Sequence, residues 1–399
     1  MRTAPMMDFP LEEYEDRIAK LRLQMKELDV DGVMITGEEN TRYFCGLQSI
    51  VWGSRISTPG VLLVNKDGEM ALIGSKSAMR VMAETSCVDL DYISCNSRLN
   101  DPGVPATYSG AICAAFKRLG IDKGRIGFES GPVTRLHMNY GCFLELKALM
   151  PSVEWVQFSK GIWNLRSVKS KREIEIFRRL CTISGKCFEK AFSSIHFGKT
   201  TEREFYEIFA AEAFRLGADK MPPLIVQFGQ GRYVQLNCPP SNKVITKTKH
   251  DFIFADTGPS MKGYITDTIR MAVIGGMDEQ QAELYKMVVD GLDYCLSLVE
   301  PGVPCAEISS KLDKMVADRG FDDVHWTKFW VGHGVGLDVH ELPTLSYECD
   351  MVLKPGMILS VEPMMLHKDK GMIAIEHNIL VTEDGYENLT PYLPELLVL

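Results

Sequence analysis

Residues 332–343 read GHGVGLDVHELP and set two histidines, His333 and His340, in a run punctuated by glycine at 332, 334 and 336. Glycine lacks a Cβ, so such a run lets the backbone approach a partner closely and take conformations other residues avoid. An isolated histidine is more often a satisfied core residue than a ligand. Here His333 sits between glycines, with room for a neutral imidazole to reach a metal ion. His340, followed by Glu341 and Pro343, reads instead as a hydrogen-bond donor to a substrate or an oxyanion.

Four carboxylates flank this run at a distance. Downstream stand Glu362, in ILSVEPMM, and Glu376, in GMIAIEHNILV; upstream stand Asp256, in DFIFAD, and Asp267, in GYITDTIRM. Taken alone, Asp256 reads as a cap or turn residue and Asp267 as a solvated strand face; for Glu376 an edge-strand charge is the lesser alternative, because Ile373, Ile375, Ile379 and Leu380 flank it as in a buried strand. A carboxylate buried among Phe, Ile and Ala is costly unless it is paired or bound to metal, which tilts the balance. The expected arrangement is a hairpin turning at 258–263, with Asp256 ending one strand and Asp267 within the next. Strands about 5 Å apart could then bring both carboxylates to one metal pair. Glu362 is expected at the end of a strand and Glu376 in the middle of another. Four carboxylates and one imidazole, with no thiolate, suit a pair of divalent ions such as Mn²⁺, with Fe²⁺, Co²⁺ or Zn²⁺ as alternatives. Ions about 3.5–4 Å apart can share a water and make it a nucleophile. A neighbouring Glu can serve as the general base.

The bulk properties are those of a soluble protein of two domains. The 399 residues are 45% hydrophobic and 24% charged, with a formal net charge of -9 and no dominant basic patch, which argues against nucleic-acid binding. No run of apolar residues is long enough to span a membrane. The first residues, MRTAPMMDFPLEEYEDR, have no apolar signal-like core. Eleven cysteines without a C-x-x-C pair read as reduced thiols, so a cytoplasmic location is expected; Cys238 and Cys349, near the motifs, read as small buried hydrophobes.

The N-terminal part alternates. Helices are predicted over 10–29, 76–84, 106–119 and 134–149. Strands are predicted over 32–36, around the Lys66-Asp67-Gly68 turn, and at 89–93 and 125–130, the pattern of a small α/β domain. Ser170 followed by Glu173 forms a capping box that opens a long helix over 171–194. Further helices are predicted over 201–216, 278–299 and 304–319, with strands dominating after Pro222-Pro223. The division expected is 1–165 and 166–399, the second part α+β.

On DTG…GYITDTIRM, GHGVGLDVHELP, LKPGMILSVEP and IEHNILVTEDGYENLT, the chain resembles the pita-bread metallopeptidases: methionine aminopeptidase, prolidase and aminopeptidase P, together with creatinase. The likeness runs from about residue 165 to the end, and the N-terminal part looks like the smaller creatinase/prolidase-type domain. The resemblance implies that Asp267 and Glu376 bridge two ions, that Asp256 holds one, and that His333 with Glu362 holds the other. It further implies Glu362 as general base, His340 as a substrate contact and a homodimer as the assembly.

Two positions depart from that pattern. Asn237 stands where prolidase-like relatives carry a histidine; it can bind substrate but cannot shuttle a proton. Ala374-Ile375-Glu376 replaces the R-I-E of proline-specific members and removes a bidentate contact. The function implied is a metal-dependent hydrolase of the Xaa-Pro dipeptidase or aminopeptidase P type, a two-metal-activated water attacking a peptide or small amide bond. The alternatives are a creatinase-like C–N hydrolase or lyase acting on a small nitrogenous metabolite, which the two departures favour, and a non-catalytic binding paralogue. The last would be expected to lose ligands, and all five are present.

Overall fold

The computed structural model describes residues 1–52, 60–89, 93–95, 105, 107–222, 225–230, 238–321, 325–326, 330–390 and 396–399. Two compact units result, Met1–Arg166 and Ser167–Leu399.

The first unit is α/β. Its elements are α1 (Leu11–Glu27), β1 (Gly32–Ile35), α2 (Glu38–Cys45), β2 (Val61–Asn65), β3 (Met70–Ser75), α3 (Met79–Thr85), β4 (Ile93–Cys95), α4 (Tyr108–Arg118), β5 (Gly124–Phe128), α5 (Tyr140–Leu149), β6 (Val153–Gln157) and α6 (Ser159–Arg166). The strands form one sheet in the order β4-β3-β2-β1-β5-β6. β2 runs antiparallel to β1 and β3, and the other pairs are parallel. Tyr14, Ile18, Leu21 and Met25 recur at helical spacing on the buried side of α1, as an amphipathic helix requires. Met34, Leu63, Ile73, Phe116, Ile126 and Phe143 pack together as a core.

Two local expectations shift here, and one unassigned stretch proves helical. The strand expected at 89–93 lies at β4, and α5 starts only after Asn139, whose side chain accepts the Gly141 N–H as an N-cap. EENTRYFC, with no assignment from sequence, is the helix α2. It closes on Gly46 at φ 80, a left-handed C-cap that favours glycine. Its start is fixed from far along the chain, because the buried Glu129 carboxylate accepts the N–H groups of Thr36 and Gly37 and the Asn40 amide.

The second unit is α+β. Its helices are α7 (Lys171–Ser193), α8 (Glu202–Arg215), α9 (Glu279–Ser297) and α10 (Cys305–Asp318). The first three open on capping boxes, Ser170 with Glu173, Thr201 with Glu204 and Asp278 with Gln281. Its strands are β7 (Ile225–Gly229), β8 (Phe252–Asp256), β9 (Ser260–Met261), β10 (Tyr264–Ile265), β11 (Ile269–Val273), β12 (His325–Trp326), β13 (Trp330–Gly334), β14 (Glu341–Ser346), β15 (Ile358–Val361), β16 (Met364–His367), β17 (Gly371–Ala374), β18 (His377–Val381), β19 (Tyr386–Asn388) and β20 (Leu396–Val398). They form sheets ordered β20-β11-β8-β7, β12-β16-β17 and β14-β13-β15-β18-β19, with a small β10-β9 ribbon. Apolar residues of α9 and α10, among them Leu284, Val288, Leu292, Ile308 and Leu312, join Phe254, Met271, Val331, Leu359 and Ile379 in one core. Among the described residues, no helix is long and apolar enough to cross a membrane.

Two places where the chain changes sheets matter for the site. β15 pairs with β18, ending at Val361 opposite His377, and the next pairing, Met364 opposite Ala374, belongs to β16 and β17 in a different sheet. Glu362-Pro363 and Ile375-Glu376 fill these two facing breaks. Proline has no N–H to continue a ladder, which suits it to such a break. The single strand expected through Glu376 is therefore two strands, with the glutamate at their junction. Asp267 likewise lies between β10 and β11 rather than within a strand.

Candidate metal centre

Asp256 closes β8, and Asp267 precedes β11, its antiparallel neighbour. One residue past each aspartate, Thr257 and Thr268 exchange backbone hydrogen bonds of 3.2 and 3.1 Å and hold the two segments together. The chain between them fits because residue 258 is glycine; a Cβ there would sit 1.9 Å from the Thr266 carbonyl oxygen. His333 lies on β13, where the pairing with β14 slips on both sides of it. Such a bulge re-aims a side chain beside a functional site. Glu362 and Glu376 come from the two facing strand breaks.

These five residues converge. Ligand atoms of Asp256, Asp267 and Glu376 lie within 4.8 Å of one another, as do those of His333, Glu362 and Glu376, and those of Asp267, His333 and His340. Nε2 of His333 is 3.3 Å from Glu362 Oε1 and 3.7 Å from Asp267 Oδ2. Nδ1 of His333 lies 3.0 Å from the Gly334 carbonyl. As donor to that carbonyl it leaves Nε2 as a lone pair turned into the cluster, the state a metal ligand needs. His340 stands exposed, its ring edge-on to His333 with centroids 4.4 Å apart.

The electrostatics have one cause, negative charge packed out of water. Burial, with Glu362 opposite, pushes the Asp256 carboxyl up to about 7. Burial and the neighbouring carboxylates drive Asp267 and Glu376 well above the carboxylate range. Burial would raise Glu362 too, but the contact with His333, the Trp330 N–H and the nearby His340 together outweigh it and hold this carboxyl low. His333 is raised in spite of its burial by the same contact. Partial desolvation of the ring and the adjacent His333 lower His340, which favours its neutral form.

The residues fit a pair of divalent cations. His333 Nε2 and Glu376 Oε2 are buried polar atoms without a hydrogen-bond partner. Such orphans are costly. Positive charge between the carboxylates would satisfy them and remove the repulsion. The donors are four carboxylates and one imidazole, with no thiolate, as hard to borderline ions prefer.

Several supporting residues that the sequence alone does not single out surround the ligands. Ser360 donates to Glu376 Oε1, and Asn378 both accepts the Asp267 N–H at 3.3 Å and donates to the Asp267 carbonyl. Arg270 donates to the Glu376 carbonyl at 2.7 Å and to that of Thr390 at 3.2 Å. Trp330 Nε1 donates to Glu362 Oε1 at 2.9 Å. Lys169 and Glu341, both 1% exposed in their side chains, form an ion pair at 3.4 Å, and Glu341 also accepts the Asp338 N–H, pinning the run from 332 to 343 from within. The available signal was polarity, a serine in ILSV and an asparagine in HNILV where apolar side chains would otherwise pack. Asn237 lies outside the described residues. Ala374 ends β17 fully buried, with its N–H directed at the Met271 sulfur 3.4 Å away.

Fold and site together define a metallohydrolase. The chain belongs to metallopeptidase family M24, whose profile matches residues 175–383, and residues 17–168 match the creatinase/prolidase N-terminal domain. An Xaa-Pro dipeptidase of Pyrococcus furiosus is 31% identical over 384 residues, 96% of this chain and 100% of the relative. Among solved structures, an Xaa-Pro dipeptidase from Bacillus anthracis matches at TM-score 0.80 and 25% identity, over 97% of this chain and 100% of that one. Prolidase from Pyrococcus furiosus matches at TM-score 0.74 and 26% identity, over 94% and 100%. The second unit thus has the pita-bread fold, and the first is its creatinase-type companion.

Proposed function

We propose that this protein is an Xaa-Pro dipeptidase of the prolidase type, with Asp256, Asp267, His333, Glu362 and Glu376 holding two divalent ions, Mn²⁺ in the first instance. The observation that carries the reading is the overlap of the ligand groups. Glu376 belongs to one group with Asp256 and to another with His333 and Glu362, and Asp267 likewise reaches both Asp256 and His333. That overlap supports Asp267 and Glu376 as the shared ligands, Asp256 as ligand to one ion, and His333 with Glu362 as ligands to the other. When bound, the ions polarise the scissile carbonyl and activate water.

The chain's own residues supply the rest. Glu362, held in its ionised form, is placed to accept a proton. His340, neutral and exposed beside His333, is placed to donate a hydrogen bond to the substrate. Asn237 is proposed as a further substrate contact. We also propose the domain division 1–165 and 166–399, a homodimer and a cytoplasmic location; the similarity to prolidases over nearly the whole chain supports the peptidase among the alternatives.

The test is hydrolysis of an Xaa-Pro dipeptide panel by protein reloaded with Mn²⁺, beside a chelated control. Chelator-sensitive turnover is the expected result. A protein that holds two ions yet cleaves none of the panel would transfer the reading to small amidines and cyclic amides.

A further inference from the structure

Trp330 opens β13, three residues before His333. Its Nε1 donates to Glu362 Oε1 at 2.9 Å, the same oxygen that lies 3.3 Å from His333 Nε2. Its ring is 5.8 Å from the His333 ring, tilted at 35°, and 6.1 Å from that of His340, edge-on at 80°. One side chain therefore touches three residues of the centre, all on the His333–Glu362 side. The slip in pairing between Trp330 and His333 brings this about. Strict alternation along a strand would send residues 330 and 333 to opposite faces.

The chemistry of the contact is specific. An indole N–H is a donor only and carries no charge. It can fill one lone pair of the carboxylate without supplying a counter-charge, so it does not compete with a cation for Glu362. A glutamate has three rotatable side-chain bonds, and the backbone anchor of Glu362, its N–H bonded to the Val331 carbonyl at 2.9 Å, leaves them free. A donor on one oxygen removes that freedom.

We propose that Trp330 is a positioning residue of the metal centre, its N–H holding the Glu362 carboxylate in the orientation from which it shares an ion with His333. The inference rests on the reading of His333 and Glu362 as joint ligands. It assigns the effect of Trp330 to one of the two ions, because every contact it makes in the cluster falls on that side. Loss of a hydrogen-bonding partner behind a metal ligand weakens metal affinity by about 10–100-fold.

The experiment uses the full chain, freed of metal with a chelator, dialysed, and titrated with Mn²⁺ by calorimetry. Wild type is compared with Trp330→Phe, which keeps a ring and removes the donor, and with Trp330→His, which restores a ring N–H. Near-ultraviolet circular dichroism checks the fold of each. The expected result for Trp330→Phe is one ion at wild-type affinity and the second weaker by about 10–100-fold. Trp330→His should recover part of that loss. Two ions at wild-type affinity in Trp330→Phe would overturn the proposal. Equal losses in both variants would overturn it as well, since the ring and not its N–H would then matter. Wild type that takes up fewer than two ions would instead remove the two-ion reading beneath it.

Discussion

Asp267 and Glu376 differ from the other three candidate ligands in reaching both sides of the cluster. Removing either carboxylate should therefore cost both ions rather than one. Asp267→Ala and Glu376→Ala are expected to bind no ions after dialysis, measured by elemental analysis, and two ions retained by either would sink the shared-ligand assignment. His340 is different again, exposed and edge-on to a ligand. His340→Ala should keep its ions while turnover of an Xaa-Pro dipeptide falls by about 10²–10³-fold, the usual cost of losing one donor to a developing charge. An ion content that falls with the activity would make His340 a ligand instead.

These residues were legible in sequence because each sets a charge or an imidazole in an apolar or glycine-rich setting. Trp330 was not, since a tryptophan in FWVG reads as one more strand hydrophobe. Only the position of Glu362 in space reveals its N–H as a donor.

At the scale of the element, the site is made by interruptions, namely a bulge at His333 and breaks at Glu362-Pro363 and Ile375-Glu376. The alternation in GMIAIEHNILV cannot show such a break, because the residues on both sides are equally suited to a strand. What divides them is the choice of partner, β16 for one half and β15 for the other. Close approach is the other device. A Cβ on Gly332 would lie 2.2 Å from the Ser360 carbonyl oxygen, backbone against backbone. Gly332→Ala must push β13 from β15 and carry His333 away from Glu362. The expected outcome is a folded protein with weakened binding of the ion assigned to His333 and Glu362, read by calorimetry; unchanged affinity would contradict that geometry. Capping boxes at α7, α8 and α9 follow the opposite logic. They are local, and the one at Ser170 was readable directly. The cap of α2 is not, because its acceptor, Glu129, is remote in sequence. Glu129→Ala leaves the Thr36 and Gly37 N–H groups and the Asn40 amide without that acceptor. A loss of about 3 kcal/mol or more is expected in denaturant unfolding, from about 1–3 kcal/mol for each buried donor stranded. A loss under about 1 kcal/mol would show that α2 does not depend on this carboxylate.

At the scale of the whole molecule, the two units carry separate cores, and all five candidate ligands lie in the second. Three of their carboxyls are pushed upward by burial and mutual repulsion. The native state of the second unit therefore works against itself at neutral pH until cations enter. An ion that binds only the folded form stabilises it by about 2.7 kcal/mol at one hundred times its dissociation constant, for each site. The gain should be visible where the ligands are anchored. On adding Mn²⁺ to chelator-treated protein, amide hydrogen exchange is expected to slow in β8, β13, β15 and β18, by about 100-fold per site for amides that exchange through full opening of the unit. Exchange in β2 and β3, whose residues belong to the first unit, should stay as it was. Slowing spread evenly over both units would mean that the ions stabilise a single cooperative body. Slowing in neither would mean that the five residues hold no ion at all.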